Sequence, residues 1–134
     1  MAKKVLVVDD EGCFAEDAAT VIGYAGFDVT IATSYTKAIQ ALEQHTYDVV
    51  TLDIMMTIGR DEEIDRDAAM FGRQTGLVLF EQIRQKWPQS KIVIVSVLSA
   101  LDQRLHTLSS KGVVVRGKPI SMKELIDAVK LAAG

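Results

Sequence analysis

The sequence predicts an α/β domain: a parallel sheet with helices on both faces. Three observations lead there. Short apolar runs at Val5–Val8, Val49–Leu52 and Ile92–Val95 are nearly free of polar residues, as strands buried on both faces are. Between them lie stretches with apolar residues at helical spacing. Strand and helix patterns then alternate five times along the chain, an order that winds strands parallel through right-handed crossovers.

Val5–Val8 is the first strand, and it ends abruptly in Asp9-Asp10-Glu11. The helix after it sets Phe14, Ala18, Val21 and Ile22 on one face, and Gly23 and Gly26 loosen its end. Asp28–Ala32 alternates and reads as a strand at a sheet edge. Ser34 caps the next helix, which buries Ala38 and Leu42. Val49–Leu52 is the third strand and delivers Asp53. From Thr57 to Thr75 there is no strand or helix period, and the stretch is dense in charge from Arg60 to Arg73; a loop that long is functional or disordered as a rule. A third helix begins near Gly76, carries Phe80, Ile83 and Trp87 on one stripe, and stops at Pro88. Lys91–Val95 is the fourth strand, ending in Ser96. Leu101, Leu105 and Leu108 mark a fourth helix, Gly112 breaks it, and Val113–Val115 is the fifth strand. Lys118-Pro119 follows. Ser121-Met122-Lys123-Glu124 is a capping box, and it opens a last helix through Leu125, Val129 and Ala132.

The 134 residues are the size of one domain, taken as 1–134, with no repeat or linker. At 49% hydrophobic, the chain carries a core without help from a disulfide or structural metal. Cys13 is the single cysteine, so no internal disulfide forms, which fits a reducing compartment. A net charge of −3 and a pI near 5.3 argue against a nucleic-acid binder, which needs a basic face. No signal peptide precedes the first strand, and no apolar run approaches the ~20 residues of a membrane span. The expectation is a soluble cytoplasmic protein that contacts neither nucleic acid nor membrane.

In an open parallel sheet the carboxyl ends of the strands share one edge, where ligands bind. Asp9, Asp10, Asp53, Ser96 and Lys118 all fall there. Three carboxylates at about 4 Å repel by on the order of 4 kcal/mol per pair at an effective dielectric near 20, and one lysine offsets this poorly. Either a carboxyl stays protonated or a cation binds. A hard oxygen site that also holds a phosphoryl group suits Mg²⁺. Asp53 is then a nucleophile toward phosphorus, giving an acyl phosphate. Asp10 and Asp53 bind the metal, with Asp9 acting through water. Lys118 pairs with one phosphoryl oxygen and Ser96 donates to another.

With these residues in order, each at a strand end, the chain resembles the receiver domain of two-component response regulators over essentially its whole length. The resemblance implies a flavodoxin-like (βα)5 doubly wound sheet in the order 2-1-3-4-5. It implies phosphorylation of Asp53 by the phosphohistidine of a sensor histidine kinase or a phosphotransfer protein, slow self-dephosphorylation, and a fourth metal ligand from the backbone carbonyl of Met55. Such a domain is a phosphoacceptor rather than a turnover enzyme. It regulates a downstream protein through its last helices and fifth strand, or relays the phosphoryl group, and it dimerises on phosphorylation. Because nothing follows the last helix, a stand-alone receiver is expected.

Three departures from the family stand out. Thr57 replaces the usual proline after the acceptor, and the matching glycine is Gly76, so the charged stretch is an insertion beside the site, read as a lid or partner-selection loop. Val115 stands where the family commonly has an aromatic residue, so the loop led by Ser96 carries the switch instead. Val97 replaces a small residue and is expected to crowd the site and slow phosphoryl exchange.

Other functions fit less well. A haloacid-dehalogenase-type phosphatase needs a second aspartate where Met55 stands. Asp9-Asp10-Glu11 repels the phosphate of a flavodoxin-type carrier. A Rossmann enzyme needs a glycine-rich first turn, absent here. The remaining rival is a pseudo-receiver, the same fold acting as a phosphorylation-independent protein-binding module. His45 and His106 have no partners at metal spacing, and Cys13 reads as a packing or neutral residue of the first helix.

Overall fold

The computed structural model describes residues 2–56, 58, 75–97, 107–108 and 112–134. Its strands are β1 (Lys4–Val8), β2 (Asp28–Ala32), β3 (Val49–Leu52), β4 (Lys91–Ser96) and β5 (Val114–Gly117). Its helices are α1 (Gly12–Tyr24), α2 (Tyr35–Gln44), α3 (Thr75–Lys86) and α4 (Met122–Ala133). The five strands form one parallel sheet in the order β2-β1-β3-β4-β5. This is the flavodoxin-like order that the resemblance implies, with β2 at an edge.

Strand periodicity divides the core into two layers. Leu6, Val8, Val50, Leu52, Ile92 and Ile94 face one way and pack under Ala38 and Leu42 of α2 and Leu79, Phe80 and Ile83 of α3. Val5, Val7, Val49, Val93 and Val95 face the other way, against Ala15, Ala18 and Ile22 of α1 and Leu125, Ala128 and Val129 of α4. Each large side chain buried in this way contributes roughly 1.5–3 kcal/mol. No helix among the described residues is long and apolar enough to cross a membrane.

The caps form as expected. Ser34 accepts from the Lys37 amide at 3.1 Å. Ser121 accepts from the Glu124 amide at 3.1 Å, and its hydroxyl donates to the Glu124 carboxylate at 3.1 Å.

Two elements differ from expectation. The inward stripe of α1 is Ala15-Ala18-Ile22, and Phe14 is only partly buried. An alanine-rich stripe lets the helix approach the sheet closely, which turns the bulky Phe14 toward the rim. β5 is Val114–Gly117 rather than Val113–Val115, because its pairing follows β4, from Val93↔Val114 to Ser96↔Gly117. An edge strand is held by its neighbour's register and not by hydrophobicity alone. Of the fourth helix, Thr107 and Leu108 are helical; Leu101 and Leu105, and residues 57 and 59–74 of the stretch read as an insertion, lie outside the described residues.

Candidate functional site

Backbone pairing continues one step past the strands and sets the site residues in place. The Asp9 amide donates to the Ala32 carbonyl at 3.2 Å, and the Asp53 amide to the Val8 carbonyl at 3.1 Å. The Lys118 amide donates to the Ser96 carbonyl at 3.2 Å. Asp9, Asp10, Asp53, Ser96 and Lys118 thus leave the sheet along one edge. Asp9, Asp53 and Ser96 are buried, and Val97, just after Ser96, is exposed.

Lys118 is the hub. Its Nζ lies 2.8 Å from Asp9 Oδ2, 3.3 Å from Asp53 Oδ2 and 3.4 Å from Glu11 Oε1. The Lys118 side chain is only 9% exposed, whereas that of Glu11 is 66% exposed. The opposite carboxylate oxygens are held by backbone: the Glu11 amide donates to Asp9 Oδ1 at 2.9 Å and the Met55 amide to Asp53 Oδ1 at 3.1 Å. Among the described residues no fully buried side-chain nitrogen or oxygen lacks a partner.

Burial, followed by the charge of Asp9, pushes the Asp53 carboxyl up to about 6; Lys118 and the Met55 amide pull the other way. Burial also raises Asp9, against its hydrogen bonds from Lys118 and Glu11. For Lys118, burial favours the neutral amine, but the hydrogen bond to Asp9 and the charges of Asp53, Asp9 and Glu11 outweigh it, so the net shift is upward.

Ligand oxygens of Asp9, Asp10 and Asp53 lie within 4.8 Å of one another. Carboxylates that are desolvated, mutually repelling and matched to one ammonium fit a hard divalent cation. The cluster therefore suits Mg²⁺ by the chemistry of its donors.

The segment after Asp53 is tightly tied down. The Gly76 amide donates to the Ile54 carbonyl at 2.8 Å, and the Thr75 hydroxyl to the Met56 carbonyl at 2.8 Å. A Cβ on Gly76 would lie 2.0 Å from the Asp53 carbonyl oxygen and 2.6 Å from the Ile54 Cα. Only glycine permits this approach, so the start of α3 meets the chain leaving β3 beside Asp53.

Sequence reasoning missed three contributors. Glu11 read only as part of an acidic cluster, and Thr75 as the end of a loop. Phe14 read as core, yet its ring centre lies 4.4 Å from Lys118 Nζ. The aromatic side chain among small residues was the one available signal.

The sequence pattern of the response regulator receiver domain matches residues 5–60, the stretch holding Asp9, Asp10 and Asp53. A receiver domain of a Francisella response regulator is 27% identical, with a TM-score of 0.76, covering 98% of this chain and 96% of that one. This chain resembles the receiver domains of response regulators in sequence and in fold. The receiver domain protein of Methanospirillum hungatei, described as CheY-like, shares the fold at a TM-score of 0.78 and 20% identity over 99% of this chain and 94% of its own. A probable transcriptional regulatory protein of Mycobacterium tuberculosis, TcrX, is 28% identical over 91% of this chain. The match spans 46% of that relative's length.

Proposed function

We propose that Asp53 is the phosphoacceptor of this receiver domain, taking its phosphoryl group from the phosphohistidine of a sensor histidine kinase or a phosphotransfer protein. The observation that carries the reading is Lys118 Nζ set between the buried Asp9 and Asp53 carboxylates. At neutral pH, above its value of about 6, Asp53 is ionised and nucleophilic. One of its oxygens attacks phosphorus, the P–N bond breaks, and the histidine leaves. The product is an acyl phosphate. As the charge moves outward, Lys118 exchanges Asp53 Oδ2 for a phosphoryl oxygen, and Ser96 donates to another.

Asp10, Asp53 and the Met55 carbonyl, with Asp9 through water, would hold Mg²⁺, which would supply the positive charge that phosphoryl oxygens need. Phosphorylation adds roughly −1.5 to −2 charge. The segment led by Ser96 responds, and since Val115 is not aromatic, the change reaches a downstream protein through that loop, β5 and α4 or through dimerisation. Residues 1–134 act as one signalling domain that is consumed and reset rather than turning over, in the cytoplasm.

Intact mass after incubation with acetyl phosphate tests this. One phosphoryl group is expected, requiring Mg²⁺ and absent in Asp53→Ala. No adduct in wild-type protein from either acetyl phosphate or a phosphohistidine donor would leave a protein-binding module of the same fold.

A further inference from the structure

Phe14 has no place in the mechanism above, and it only flanks the core, partly buried. The α1 face against the sheet is made by Ala15, Ala18 and Ile22, while Phe14 stands at the rim with its ring centre 4.4 Å from Lys118 Nζ. We propose that Phe14 is a positioning residue for phosphoryl transfer, holding the Lys118 ammonium at the site by a cation–π contact. The inference rests on Asp53 being the acceptor.

Hydrogen-bond counting supports it. An ammonium has three donors, and Asp9, Asp53 and Glu11 supply three acceptors at 2.8, 3.3 and 3.4 Å. When a phosphoryl group arrives, one acceptor must be given up. A further carboxylate would compete with the phosphoryl oxygens for a proton. A ring face does not: it attracts the cation through its quadrupole and remains in place while N–H partners exchange. The contact is well within the ~6 Å over which such attraction acts, and it is strongest for a desolvated cation. The Lys118 side chain, 9% exposed, meets that condition. The ring is also fixed: Phe14 sits in the first turn of α1, partly buried against the core layer shared with α4. Without it, the lysine is free to lean toward Glu11, which is open to solvent.

The test compares wild type, Phe14→Leu and Phe14→Trp in acetyl phosphate labelling at saturating Mg²⁺, with Mg²⁺ affinity and thermal stability measured in parallel. Leucine keeps an apolar side chain but loses the ring face; tryptophan keeps the face. Phe14→Leu is expected to label about tenfold more slowly, with Phe14→Trp restoring the rate to within about twofold. Mg²⁺ affinity should stay near the wild-type value in both. Labelling of Phe14→Leu at the wild-type rate, or equal slowing in both variants, would overturn the proposal. An NMR measurement on wild-type protein is independent of labelling and of variant folding: the Lys118 ε-methylene protons should be shifted upfield by the ring current, and unshifted protons would overturn the contact itself. Wild-type protein that shows the ring-current shift but takes no phosphoryl group would overturn the acceptor role of Asp53, and the positioning role with it.

Discussion

Asp53 is charged at neutral pH against the preference of its surroundings, and this has a stability consequence with a definite sign. Its carboxyl titrates near 6 in the fold and near 3.8 when exposed. Between those values the folded state binds more protons than the unfolded state, so this contribution is full below 3.8 and is lost as pH rises through 6. Its size is on the order of 3 kcal/mol as an upper bound. Asp9, also raised, acts in the same direction. In the absence of divalent cations, Asp53→Asn is therefore expected to raise stability at pH 7.5 and to flatten the change in urea midpoint between pH 5 and 7.5. Equal pH slopes for the two proteins would show that Asp53 is not strained. Gly76 gives a second residue-scale prediction. Gly76→Ala forces its Cβ against the Asp53 carbonyl, and the backbone shift should cost about 2 kcal/mol or more in urea unfolding and slow labelling. Gly23→Ala, whose Cβ meets nothing within 4 Å, should instead stabilise α1 by roughly 0.5–1 kcal/mol. The acidic pair, Asp53 and Lys118 were legible because each follows a strand run. Phe14, Glu11 and Thr75 were not, because their roles depend on how the starts of α1 and α3 meet the sheet edge.

At the scale of elements, caps and buried strands were legible and helix phase less so. Ser34 and Ser121 announce their helices by residue type, and both accept the expected amides. Ser121→Ala removes a cap from α4 and should cost about 1 kcal/mol in thermal or urea unfolding; an unchanged midpoint would show the cap adds nothing. In α1, apolar residues occupy more positions than one face holds, so the spacing that set Phe14 and Val21 inward beside Ala18 and Ile22 missed Ala15, which packing on the sheet buries instead. In β5 the apolar run predicted the strand but not its ends, since pairing with β4 runs on through Arg116 and Gly117.

The whole molecule follows from one rule. Parallel strands with right-handed crossovers collect every strand end on one edge. That is why residues as far apart as Asp9 and Lys118 could be assigned to one site before any distance was known. It also concentrates repulsion there, so cation binding and folding are linked. Mg²⁺ should raise the thermal midpoint of wild-type protein at pH 7.5 by several degrees, and much less at pH 5, where protons compete for Asp53. A midpoint insensitive to Mg²⁺ at both pH values would remove the metal from the account.

The most direct measurement is to locate the acyl phosphate. Protein labelled with acetyl phosphate and Mg²⁺ is treated with borohydride, which reduces an acyl phosphate to an alcohol, and its peptides are sequenced by mass spectrometry. The account predicts reduction at Asp53 alone. Reduction at Asp9 or Asp10, or none in protein that carries the phosphoryl mass, would contradict it.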